Sequence, residues 1–86
     1  MQKSRFSFWQ NRREPVVVTP GSRFCRRRRD KVMETATVMD LRPDPLGITH
    51  VHFALTFEEQ AIGRVEGGKR ILALESFVEA YHQRLA

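Results

Sequence analysis

From Ile48 to Phe57 apolar and polar residues alternate almost step by step, and no other stretch constrains the fold as strongly. Val51, Phe53, Leu55 and Phe57 fall on one side of an extended backbone, and His50, His52, Ala54 and Thr56 on the other. A period of two belongs to a strand with one buried face. The segment before it agrees. Val32 to Leu41 is rich in β-branched residues and reads as a strand. Arg42-Pro43-Asp44-Pro45-Leu46-Gly47 ends it in a stiff loop, because two prolines cannot continue a central strand.

Val16-Val17-Val18 is a further β-prone run, stopped by the turn signal Thr19-Pro20-Gly21. Ser22 to Arg29 reads as extended. Alternation puts Phe24, Arg26 and Arg28 on one face, with Arg23, Cys25, Arg27 and Arg29 on the other. A strand with so little to bury belongs at a sheet edge, where charge also blocks unwanted pairing. Downstream, Gly67-Gly68 predicts a two-residue hairpin turn with Glu66 and Lys69 opposite each other, then a strand over Arg70-Ile71-Leu72-Ala73-Leu74. Ser76-Phe77-Val78-Glu79 has the form of a capping box. Leu74, Phe77, Val78, Tyr81 and Leu85 then share one stripe of a C-terminal helix that packs on the sheet.

Four or five short strands and a terminal helix in 86 residues predict one small, strongly curved antiparallel sheet or barrel. With Gly21 leading the first strand, the order over Pro20 to about Tyr81 resembles SH3-like β-barrels of the KOW and Tudor kind. That resemblance implies a small closed antiparallel barrel, mainly β, with one C-terminal α-helix. The glycine-spaced KOW signature does not follow Arg29, and no set of aromatics suggests a Tudor methyl-lysine cage, so no residue roles carry over. The string Gly47-Ile48-Thr49-His50-Val51-His52-Phe53, with Leu72-Ala73-Leu74-Glu75-Ser76-Phe77, is similar to small uncharacterised bacterial proteins and implies no activity.

Charge divides the chain. Residues 1–31 hold ten Lys/Arg against Glu14 and Asp30, whereas residues 32–86 hold five against eight Asp/Glu, leaving a net charge of +5. The expected organisation is a basic, aromatic N-terminal arm over 1–19 and a small barrel with its helix over 20–86. The arm has no sustained helical or strand period, and its composition predicts disorder until a partner orders it. Phe6, Phe8 and Trp9, flanked by Arg12 and Arg13, are the candidate anchors to that partner, since aromatics seated in pockets dominate such contacts. With Lys3 and Arg5 the same residues have the composition of an interfacial membrane anchor, but too few aliphatics for a strong amphipathic helix.

Arg26-Arg27-Arg28-Arg29 is the strongest local signal. Four adjacent guanidinium groups repel one another until a polyanion or carboxylates neutralise them, and the planar fork grips phosphate bidentately. The candidate contacts to nucleic acid, or to an acidic partner, are Arg23, Arg26, Arg27, Arg28, Arg29 and Lys31, joined by Arg64, Lys69 and Arg70 if the hairpin folds to the same side. The competing reading is a solvated edge whose charges pair with Glu34, Asp40, Glu58 or Glu59. Phe24 and the early aromatics could stack on bases, which would favour single strands or RNA loops. No RNP, KH or helix-turn-helix pattern supports sequence readout.

The remaining motifs carry little chemistry. His50 and His52 share a strand face, and a metal would need two more ligands from Cys25, His82, Glu34 or Asp40, yet nothing fixes a tetrahedral set. No metal or cofactor is expected. Cys25 has no oriented base beside it, and Gly63, Gly67 and Gly68 form no phosphate-binding loop, so no catalytic residue is assigned. The lone cysteine fits a reducing compartment, no apolar run reaches membrane length, and no secretory leader is legible, which points to the cytoplasm. The expectation is a non-enzymatic module that docks on nucleic acid or a ribonucleoprotein through its arginine-rich edge, without sequence readout. The alternative is an adaptor or assembly subunit of a larger protein complex, engaged through its N-terminal arm.

Overall fold

The computed structural model describes residues 7–10 and 15–85. Strands β1 (Ser7–Gln10) and β2 (Pro15–Val18) form an antiparallel hairpin. The main sheet comprises β3 (Arg23–Arg27), β4 (Met33–Pro43), β5 (Thr49–Glu59), β6 (Gly63–Ala73) and β7 (Gln83–Leu85), with helix α1 (Leu74–Ala80) between the last two. Its order is β6-β5-β4-β3-β7, antiparallel throughout.

The molecule is mainly β, as the alternation requires, but the sheet stays open. Strands β6 and β7 are its two edges and do not meet, which corrects the closed SH3-like barrel. The face that a closing barrel would bury is covered by α1 and the first hairpin. Phe77 of α1 sits edge-on to Phe24 and Phe53, with ring centroids 5.5 and 5.0 Å away, and Tyr81 reaches Phe53 at 5.6 Å. Phe24, Val38, Val51, Phe53, Phe77 and Val18 are essentially without exposure, and each such side chain contributes roughly 1.5–3 kcal/mol on burial.

The period-two prediction holds on β5, where Val51, Phe53 and Leu55 are buried and Phe57 packs against them. Two bulges adjust it. A register shift between Val38 and Asp40 extrudes Met39, so that Leu41 returns to the buried side while Asp40 turns outward beside His52. The second shift lies between Leu55 and Thr56, opposite Gly67.

That second bulge corrects the hairpin prediction. Gly67-Gly68 is not a turn. Both glycines lie inside β6, Glu66 pairs with Thr56 and Lys69 with Ala54, and the reversal occurs over residues 60–62. Gly63, at φ +93, supplies the positive φ that closes that turn. A Cβ at Gly67 would collide with the Phe57 ring, so the glycine there is required by packing.

The C-terminal segment also departs from expectation. Helix α1 starts at Leu74, directly after β6, with Ala73 at its N-cap and no side-chain cap, so Ser76 and Glu79 form no capping box. Leu74 is pulled into the helix because it packs on the core. The helix ends at Ala80, short of Leu85. Residues 83–85 instead pair with Arg23, Phe24 and Cys25, supplying ladder bonds to an otherwise open strand. Strand β3 is therefore interior as far as Cys25 and an edge only from Arg26 onward.

The expected boundary at 19/20 does not mark where the core begins. Val18 is fully buried, Val16 packs on the same cluster, and Arg84 donates to the Val17 carbonyl at 2.6 Å. Strand β2 belongs to the body rather than to a disordered arm. Strand β1 carries Phe8 and Trp9 in register with Val17 and Val16. Phe6, Arg12 and Arg13 lie outside the described residues.

Candidate polyanion-binding face

Residues opposite one another in an antiparallel ladder share a face, so the register orders the outer side of the sheet into rows. Arg27, Met33, Glu58 and Arg64 form one row. The next holds Gln83, Cys25, Thr35, Thr56 and Glu66, and the third Leu85, Arg23, Thr37, Ala54 and Lys69. The central strands contribute a floor of small residues, Thr35, Thr37, Ala54 and Thr56. Cations flank it: Arg23 and Arg27 on β3, Arg64 and Lys69 on β6. Three strand spacings separate the two rails, about 14 Å. Thr35, Thr37, Ala54 and Thr56 are half-buried, and Cys25 in the same row as Thr35 and Thr56 is 3% exposed.

The β3–β4 turn extends the first rail. Asp30 accepts the Val32 amide at 3.2 Å, and the Lys31 amide donates to the Arg28 carbonyl at 3.0 Å. This leaves Arg29 exposed at the tip. Lys31 adopts φ 68°, the left-handed region that glycine or asparagine ordinarily fills. Arg27, Lys31 and Arg64 line a cavity of about 820 Å³ between this turn and residues 60–62, where Asp30, Glu58 and Glu59 face them. Glu59 keeps one carboxylate oxygen buried without a hydrogen-bond partner among the described residues.

Arg26 and Arg28 belong to the opposite, inner face. Arg26 Nε donates to Glu34 Oε1 at 2.5 Å, and Arg28 lies 3.6 Å from the other Glu34 oxygen and 3.5 Å from Asp30. Glu34 is only 5% exposed, so these guanidinium groups offset the desolvation of its charge. Arg26 stacks over Tyr81 at 4.8 Å and Arg28 over Phe57 at 5.9 Å. Burial, and then the Glu34 carboxylate, push the Tyr81 phenol above its ordinary range. Arg70, opposite Phe53, also faces inward.

The structure thus divides the basic set predicted from sequence. Arg23, Arg27, Arg29, Lys31, Arg64 and Lys69 lie on the outer face or its turn, while Arg26, Arg28 and Arg70 lie on the inner one. The pairing with acidic residues expected as the competing reading applies to Arg26 and Arg28. Among the described residues, Arg27, Arg29 and Lys31 form no ion pair within 4 Å. Base stacking by Phe24 is corrected, since that ring is 1% exposed beneath Arg84 and against Phe77. The floor of Thr35, Thr37, Ala54 and Thr56 was not anticipated, although Thr-x-Thr on one strand and Ala-x-Thr on the next already carry the period.

Cys25 is buried on the outer side of β3. His50 approaches the Ile48 carbonyl at 3.0 Å and Asp44 at 3.9 Å, and His52 stands beside Asp40. Among the described residues no cluster of three or more His, Cys, Asp or Glu could hold a metal ion, and no helix is long and apolar enough to cross a membrane. Comparison with protein-family models, curated proteins and solved structures finds no match.

Proposed function

We propose that the protein is a non-enzymatic binding module that takes the phosphate backbone of nucleic acid, free or in a ribonucleoprotein, on the outer face of its sheet. What supports this is the division of the arginine run. Arg26 and Arg28 are engaged by Glu34, whereas Arg27, Arg29 and Lys31 stay exposed beside a floor of small residues. Lys31 adds weight, because a lysine held in left-handed backbone costs on the order of 1 kcal/mol that glycine would avoid. Charge with a use explains that choice of residue. The outer rows carry no aromatic side chain, so contacts go to phosphate and sugar and no base sequence is read. Glu58 and Glu66 interrupt the rails, which limits the contacts to a few phosphates and the affinity to the micromolar range. A cytoplasmic setting agrees with the unpaired Cys25.

The test is fluorescence anisotropy of labelled single-stranded RNA, single-stranded DNA and duplex DNA across a salt series. The expected outcome is micromolar binding at low salt, a steep fall of log K with log salt, and no gain for single strands. Absence of binding at low salt overturns it. One observation favours the adaptor reading instead: Ile62, Val65 and Ile71 are exposed along the edge strand β6 and the turn before it. An adaptor would lose its partner on substitution of Phe8 and Trp9 and retain it without Arg27 and Arg29.

A further inference from the structure

We infer that the inner face carries a separate site, a cavity for a small anionic ligand built on a flat apolar body. The cavity is about 360 Å³, within the range of small-molecule pockets, and its walls include Arg26, Arg28, Arg70, Glu34, Phe57 and Tyr81. Helix α1 covers one end of the inner face and stops at Ala80, leaving this end open. Three guanidinium groups converge there against one carboxylate. Glu34 is shared by Arg26 and Arg28, and Asp30 also lies 3.5 Å from Arg28, so among the described residues Arg70 is the guanidinium of the cavity that forms no ion pair. Among the described residues Arg70 donates only to the neighbouring Lys69 carbonyl, at 3.2 Å.

The rings give the cavity its second character. Tyr81 and Phe57 back the guanidinium groups of Arg26 and Arg28, and both rings line the cavity. The Gly67-Gly68 bulge lets β6 pack closely on Phe57 and Leu55 beside that space. Any side chain at Gly67 would strike Phe57, and a Cβ at Gly68 would come within 3.3 Å of the Arg70 guanidinium. Two glycines inside a strand weaken it by roughly 0.5–1 kcal/mol each, and such glycines mark close approach of a ligand or backbone. The fitting ligand is therefore a phosphate or carboxylate head on an aromatic or similarly flat body, gripped by Arg28 and Arg70 and lying against Phe57. This site stands independently of nucleic-acid binding on the outer face.

The experiment is a two-dimensional NMR titration of the full chain with phenyl phosphate, with inorganic phosphate and benzyl alcohol as separate arms. Phenyl phosphate should shift the Arg28 and Arg70 Nε–H signals and the Phe57 and Leu72 amides saturably, at least tenfold more tightly than either control. Arg28→Gln with Arg70→Gln should weaken it at least tenfold, in a protein whose remaining spectrum shows an unchanged fold. Arg27→Gln with Arg29→Gln should leave it unaltered. Equal affinity for inorganic phosphate, shifts that survive loss of Arg28 and Arg70, or no saturable shift at these signals overturns the inference.

Discussion

Arg26 and Arg27 are neighbours in sequence with identical side chains, and they do opposite things. Arg26 is pulled inward, against a carboxylate that is 5% exposed and the face of Tyr81, and it helps hold the end of the core together. Arg27 turns outward onto a threonine-rich surface, where among the described residues it forms no ion pair within 4 Å. Arg28 and Arg29 repeat the division around the turn. A run of one residue type thus becomes two surfaces of different chemistry, because successive side chains of an extended chain point to opposite faces.

The largest expected effect compares the faces through their cores. Phe53→Ala removes a ring that touches both Phe77 and Tyr81 and should destabilise by about 3–5 kcal/mol, enough to unfold much of so small a domain. Thr56→Ala, on the outer side of the same strand, should stay within about 0.5 kcal/mol. Urea denaturation distinguishes the two, and comparable losses would break the assignment of faces.

Next comes the carboxylate. Glu34→Gln leaves Arg26 without its counter-charge and Arg28 with Asp30 alone, and should cost about 1–3 kcal/mol, moderated because both guanidinium groups reach solvent. Arg27→Gln and Arg29→Gln should change stability by less than about 0.5 kcal/mol. Lys31→Gly sharpens the contrast further. It should stabilise the fold by about 0.5–1 kcal/mol by relieving positive φ, while weakening nucleic-acid binding through loss of one charge.

The smallest effect is a pH dependence. Tyr81 is the sole tyrosine, so phenolate absorbance reports it directly, and its midpoint should lie above the ordinary 10.0. The folded state then holds the proton more tightly than the unfolded state. Stability from this group is complete below pH 10 and is lost as pH rises through the folded-state value. Tyr81→Phe should abolish that decline, and a midpoint at or below 10.0 would contradict the buried contact with Glu34.

Most of the sheet was legible in the residues. Alternation on β5 and on the arginine strand placed Phe53, Leu55, Phe24, Arg26 and Arg28 on their correct sides. What failed were features set by distant partners. Gly67-Gly68 reads as a turn locally, yet the Phe57 ring across the strand makes it a bulge. Ser76-Phe77-Val78-Glu79 reads as a cap, yet core packing of Leu74 starts the helix earlier. Residues 83–85 continue a helical stripe, yet the open edge of β3 draws them into a strand. The outer floor escaped notice because threonine and alanine carry no chemical signal until register sets them side by side.

The most direct test of the division uses two variants of equal charge. Arg27→Gln/Arg29→Gln removes two cations from the outer face, and Arg28→Gln/Arg70→Gln removes two from the inner one. The readout is the salt dependence of duplex DNA binding by anisotropy. The outer pair should flatten the slope of log K against log salt by about 1.8, two phosphate contacts at about 0.9 each, and the inner pair should leave it unchanged. Equal flattening by both would mean that net charge alone governs binding, and the division of the arginine run between faces would have no bearing on function.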